Sequence, residues 1–106
     1  MNRIGFVLKV KPELMDEYTR RHQEVWPEML EALNRTGWHN YSLFLRGDGT
    51  LFGYFETPGK FEDAVEAMSR EEINHAWQAE MAHFFEGSGE AADTIMEQLT
   101  EVFHLV

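Results

Sequence analysis

The chain has 106 residues, a formal net charge of -10 and no cysteine, with 43% hydrophobic and 26% charged residues, which suits a single domain, 1–106, with one core. Nine basic residues against nineteen acidic ones disfavour nucleic acid and phosphorylated or carboxylated ligands, and the lack of cysteine excludes a disulfide framework and thiolate chemistry. With no bilayer-length apolar run and no secretory signal pattern at the start, the expectation is a cytoplasmic protein, away from membranes, whose partner is a neutral small molecule.

Arg3 to Val10 alternates Ile4, Phe6, Leu8 and Val10 against Gly5, Val7 and Lys9, the period of a strand. A helix follows from Pro12, with Glu13 and Asp16 at the positive end of its dipole. Residues four apart share a helix face, so Leu14, Tyr18 and His22 form one column that Val25 and Trp26 continue. Pro27 predicts a break or a fresh start, because proline removes a backbone donor and pushes the preceding residue out of the helical region. The second section turns Met29, Leu30 and Leu33 inward and ends at Gly37, suited to a C-terminal cap.

Trp38 to Leu45 and Leu51 to Glu56 read as two strands, joined at Asp48 and Gly49 by a hairpin turn. Tyr41, Leu43 and Leu45 face one way and Trp38 and Phe44 the other, with His39 on the side of Tyr41. In the next strand Leu51, Gly53 and Phe55 oppose Phe52 and Tyr54. After the breaks at Pro58 and Gly59, a short helix runs from about Phe61 to Met68, with Ala64, Val65 and Met68 inward. Ser69 and Glu72 have the spacing of a capping box for a longer helix, whose inner column is Ile73, Trp77, Met81 and Phe84 or Phe85. Gly87, Ser88 and Gly89 open a loop, Ala92 to Gln98 is read as a further helical turn or two, and Thr100 to Val106 as the closing strand.

That order is the α+β, ferredoxin-like βαββαβ plan, an antiparallel sheet with helices on one face. Such a sheet with one wet face should alternate apolar with polar residues, yet the two middle strands are apolar on both sides. A second copy packed sheet against sheet would cover the surplus, so a homodimer is expected.

The layer between helices and sheet can gather Tyr18, His22, Tyr41 and Trp77. An imidazole exchanges protons near neutral pH, a phenol can orient a ligand, and an indole offers an apolar face to the C–H side of a sugar. Each residue also has a purely structural reading. Tyr18 and His22 fit helix-boundary residues with polar tips in water, Trp77 fits the core, and Tyr41 fits a cross-strand aromatic pair. His75 and His83 lack the spacing of a shared metal site, no HExxH or acidic calcium loop is present, and no metal is expected.

Glu17, Tyr18, Thr19, Arg20, Arg21 and His22, then Val25 to Glu28, Gly37 to Tyr41, and Glu101 to Leu105 together resemble the L-rhamnose mutarotase family along the whole chain. The resemblance implies a small cytoplasmic homodimer of the dimeric α+β barrel type, needing no cofactor or metal, that interconverts the α and β anomers of L-rhamnose or a related deoxyhexose. By position it makes His22 the proton donor and Tyr18, Tyr41, Trp77 and Gln78 substrate-binding residues. In some members a second Trp stands where this chain has Gln78, whose amide could instead bond a sugar hydroxyl. The same fold class also hosts cofactor-free monooxygenases and ligand-sensing modules, the competing readings.

Overall fold

Alternation in β1 (Asn2–Lys9) sends Ile4, Phe6 and Leu8 to one side of the sheet, and the helices pack against that side. The computed structural model describes residues 1–86 and 95–106. After β1 come a 3-10 turn (Pro12–Leu14), α1 (Met15–His22), α2 (Pro27–Arg35), β2 (His39–Leu45), β3 (Thr50–Thr57), α3 (Phe61–Ser69), α4 (Glu72–Met81), a second 3-10 turn (Ala82–Phe84) and β4 (Glu97–Leu99). The four strands lie in the order β2-β3-β1-β4, every neighbouring pair antiparallel. This is the ferredoxin-like arrangement expected from the order of elements.

The break at Pro27 is real. Trp26 is extended, with φ -57° and ψ 135°, and Pro27 opens α2 as its first residue, as the steric demand of proline on its predecessor requires. At the other end of α2, Gly37 has φ +92° and the Trp38 N–H reaches back to the Leu33 carbonyl at 2.9 Å. That is the left-handed cap that favours glycine.

Several expectations are corrected. Asn40 takes φ 48° and the β2–β3 register shifts between His39 and Ser42. This bulge brings Trp38 to the same side as Tyr41, their rings 5.3 Å apart, and leaves His39 opposite Glu56 on the outer face, away from Tyr41. A strict two-residue alternation misplaces both because the irregularity adds a residue between them. Leu30 is 52% exposed and reaches only the cavity described below, while Ala32 joins Met29 in the core. Ser69 ends α3, its hydroxyl donating to the Glu66 carbonyl at 2.6 Å, and α4 starts after Glu71 with no side-chain cap. The closing strand is Glu97–Leu99, against β1, so Glu97 and Gln98 are not helical. Thr100 to Val106 is exposed and irregular, tied back by Arg3 Nε to Glu101 Oε2 at 2.8 Å. Gly87 to Gly89 and the start of the expected Ala92 helix lie outside the described residues.

The core is aromatic at its centre. Phe6 is fully buried, with Trp38, Tyr41, Phe55 and Phe61 around it at ring separations of 6.1–6.4 Å. Trp38 stacks on Phe55 at 4.0 Å, and its indole N–H donates to the Ala64 carbonyl at 3.2 Å, so the one polar atom of that ring is satisfied inside the layer. Among the described residues, no helix packs on the outer face of the sheet. There Phe44 and Phe52 sit opposite one another in register, 63% and 37% exposed.

Candidate functional site

Between α1, α2, α4 and the inner face of the sheet lies a cavity of about 380 Å³, within the range of small-molecule sites. Tyr18, His22, Tyr41, Trp77 and Gln78 all line it. The sequence-derived set is therefore brought together from three separate elements.

The i, i+4 column of α1 places the Tyr18 and His22 rings 4.2 Å apart. Tyr18 is buried and held edge-on by Phe84 and Phe85, each at 5.7 Å. His22 is half-buried, and the edge of Trp77 lies 5.7 Å from it at 84°. Trp77 in turn meets Trp26 at 5.0 Å. It packs in the core, as its structural reading has it, and also forms a wall of the cavity.

His22 Nδ1 lies 3.0 Å from the Tyr18 backbone carbonyl. A carbonyl only accepts, so Nδ1 carries the hydrogen and the neutral ring keeps its lone pair on Nε2. Burial lowers the His22 pKa below its ordinary value, the bond to the Tyr18 carbonyl opposing this only in part, so the neutral form prevails near pH 7. Burial raises the Tyr18 pKa, helped by the nearby Tyr41, and burial alone raises that of Tyr41. Both phenols stay protonated. The site thus offers one proton acceptor and two hydroxyls against a largely apolar wall.

The α1 and α4 walls are linked outside the cavity by Arg21, which bonds Glu17 at 3.1 Å and Glu80 at 2.9 Å. On α4 itself, Asn74 is buried and lines the same cavity. Sequence reasoning passed over it, although it precedes Gln78 by the same four residues that join Tyr18 to His22. Met96, outside the motifs considered, also lines the cavity, from just before β4. Among the described residues no group of three or more His, Asp or Glu is arranged to hold a metal ion.

The sequence profile of the L-rhamnose mutarotase family matches residues 3–105. The chain is 39% identical over 106 residues to an L-rhamnose mutarotase of Oceanobacillus iheyensis and 34% identical over 106 residues to that of Bacillus subtilis, covering 99% of both chains in each case. It also resembles the crystal structure of an L-rhamnose mutarotase from Formosa agariphila, with a TM-score of 0.82 and 26% identity over the full length of both chains. Neither a monooxygenase nor a sensing module is favoured by these likenesses, and the chain belongs to the L-rhamnose mutarotase family, a family of isomerases.

Proposed function

We propose that the cavity binds L-rhamnose, or a closely related deoxyhexose, and that His22 moves the proton that opens and recloses its ring. The observation that carries this is a contact: His22 Nδ1 lies 3.0 Å from the Tyr18 carbonyl, which assigns the hydrogen to Nδ1 and leaves the lone pair on Nε2 of a ring that lines the cavity. In mutarotation the anomeric hydroxyl loses its proton, the C1–O5 bond breaks, C1 becomes an aldehyde and the ring oxygen gains a proton. Both oxygens are bonded to C1, so one imidazole can serve both. Neutral His22 takes the proton from the anomeric hydroxyl and, as imidazolium, delivers it to the ring oxygen as the bond breaks. Rotation about C1–C2 and the reverse steps give the other anomer.

In this reading Tyr18 and Tyr41 hold sugar hydroxyls, Trp77 supplies an apolar wall and Gln78 bonds a further hydroxyl. The reaction is redox-neutral and acid–base groups suffice, so no cofactor or metal is invoked. A second copy covers the outer sheet face around Phe44 and Phe52, giving the homodimer, and a cytoplasmic location follows the family reading. Among the described residues no helix is long and apolar enough to cross a membrane.

The test is exchange between α and β L-rhamnose by saturation-transfer NMR, with and without protein. Acceleration that disappears in His22→Gln supports the reading. Exchange at the spontaneous rate in the wild type, or undiminished exchange in the variant, refutes it.

A further inference from the structure

Leu99 stands opposite Gly5 at the end of β4, and the Arg3–Glu101 ion pair at 2.8 Å carries that register two residues further. The arm that follows therefore leaves in line with β4. In this register Val102 comes opposite Asn2, where β1 begins, so the residues after it overhang the sheet. Val102, Phe103 and Leu105 are 92%, 77% and 80% exposed, and none of them packs against the core. Glu101 is paired with Arg3, and Val102 to Val106 contains no Lys, Arg, Asp or Glu. Apolar residues gathered in the open in this way mark an interaction surface.

The other side of the sheet has the matching deficit. In the order β2-β3-β1-β4, β2 is an edge strand, and among the described residues β3 is the only strand paired with it. His39–Leu45 contains no Lys, Arg, Asp, Glu or Pro, so it lacks the devices that keep an open edge from taking up another strand. The arm of the same chain cannot serve it. That arm starts three strand spacings away, about 14 Å, and heads along β1 rather than across the sheet. We propose that Val102–Val106 of each copy adds as a strand to the β2 edge of a second copy. This rests on the homodimer reading above and goes beyond it, since the facing sheets alone leave both the arm and the edge open. The exchange is reciprocal, so it closes at two copies. Backbone pairing supplies affinity, and the alternation of Phe103 and Leu105 against Val102 and His104 supplies register. Fully extended, Thr100 to Val106 spans about 23 Å, which matches the seven residues of β2.

The experiment is sedimentation of the full chain beside a chain ending at Glu101, with cross-linking to locate the arm. The shortened chain is expected to have a dimer Kd raised by more than about tenfold, because each dimer loses two apolar arms. The protein has no cysteine, so introduced ones report alone. A Leu105→Cys chain mixed with a mass-tagged Ser42→Cys chain should be joined by a short bismaleimide. A Glu66→Cys partner, altered at an exposed position of α3, should be joined far less. A dimer Kd unchanged by the shortening, or cross-linking to Glu66→Cys as efficient as to Ser42→Cys, overturns the proposal. If the shortened chain does not fold, Phe103→Ser with Leu105→Ser replaces it, with the same expected rise and the same refuting result. A wild-type chain that sediments as a monomer refutes the homodimer reading and this inference with it. A wild-type dimer indifferent to loss of the arm refutes only the exchange.

Discussion

His22 Nδ1 is bonded to the backbone carbonyl of Tyr18, one turn back on the same helix, at 3.0 Å. The bond fixes the neutral tautomer, and burial holds the pKa below its ordinary value. The rate of anomer exchange should therefore rise with pH through a value below about 6.5 and stay level above it, as the acceptor form fills. If His22 entered as imidazolium, the rate would fall over the same window, so a pH–rate profile separates the two. His22→Gln should lose about 10²–10⁴-fold in rate. The same shift acts on stability. The unfolded imidazole binds its proton first, so the fold should lose stability as pH falls from about 6.5 toward the folded-state value.

Tyr18 tests the binding role separately from the fold. Its phenol lies in the cavity wall, and no hydrogen bond joins its hydroxyl to another described residue, while no buried side-chain polar atom among those residues lacks a partner. Tyr18→Phe keeps the ring against Phe84 and Phe85 and removes only the oxygen. Thermal unfolding should shift by less than about 1 kcal/mol, whereas KM for L-rhamnose should rise by about tenfold, the range of a single hydrogen bond. A large stability loss with unchanged KM would instead make the hydroxyl structural.

How much of this was legible in the sequence depends on whether the signal was local. The Tyr18–His22 pair follows from helix periodicity alone, and the break before α2 from Pro27. Trp38 and His39 were assigned to the wrong faces because the φ 48° at Asn40 is a bulge that pattern reading cannot see; asparagine is among the few residues that tolerate it. The closing strand was displaced because Val102, Phe103 and Leu105 look like a strand yet are exposed, while Glu97–Leu99 has no apolar alternation and takes its place through pairing with Gly5, Phe6 and Val7. Asn74 was missed because what makes its burial possible, the bond to the Met68 carbonyl, comes from another helix.

The outer face of the sheet gives a test of assembly. Phe44 and Phe52 face each other across β2 and β3 and remain exposed, with Leu99 from β4 exposed on the same face. Contiguous apolar surface of this kind marks an interface. Phe44→Glu puts a charge into this patch from the edge strand β2 and should convert a dimer into monomer in sedimentation at micromolar concentration, without entering the cavity. A wild-type chain that sediments as a monomer would refute the covered face directly.

The last prediction concerns the packing beneath the site. Gly53 pairs with Phe6 across β1 and β3, and a methyl group at Gly53 would stand 2.1 Å from the Phe6 ring. Phe6 is fully buried and ringed by Trp38, Tyr41, Phe55 and Phe61, so it can yield only against those rings or into the cavity it lines. Gly53→Ala should cost about 1–3 kcal/mol, as overpacking does in a filled core, and so lower Tm by about 4–8 °C for each kcal/mol lost. Because the displaced ring adjoins Tyr41, the folded fraction should also bind L-rhamnose more weakly. Gly5→Ala supplies the comparison, since a methyl there meets the Gly53 carbonyl oxygen and Leu99 Cβ at an ordinary 3.9 Å and also restricts the unfolded chain. It should melt at or slightly above the wild type. A Gly53→Ala protein that melts with Gly5→Ala would mean that the aromatic layer has slack, and that the position of Tyr41 is set by something other than Phe6.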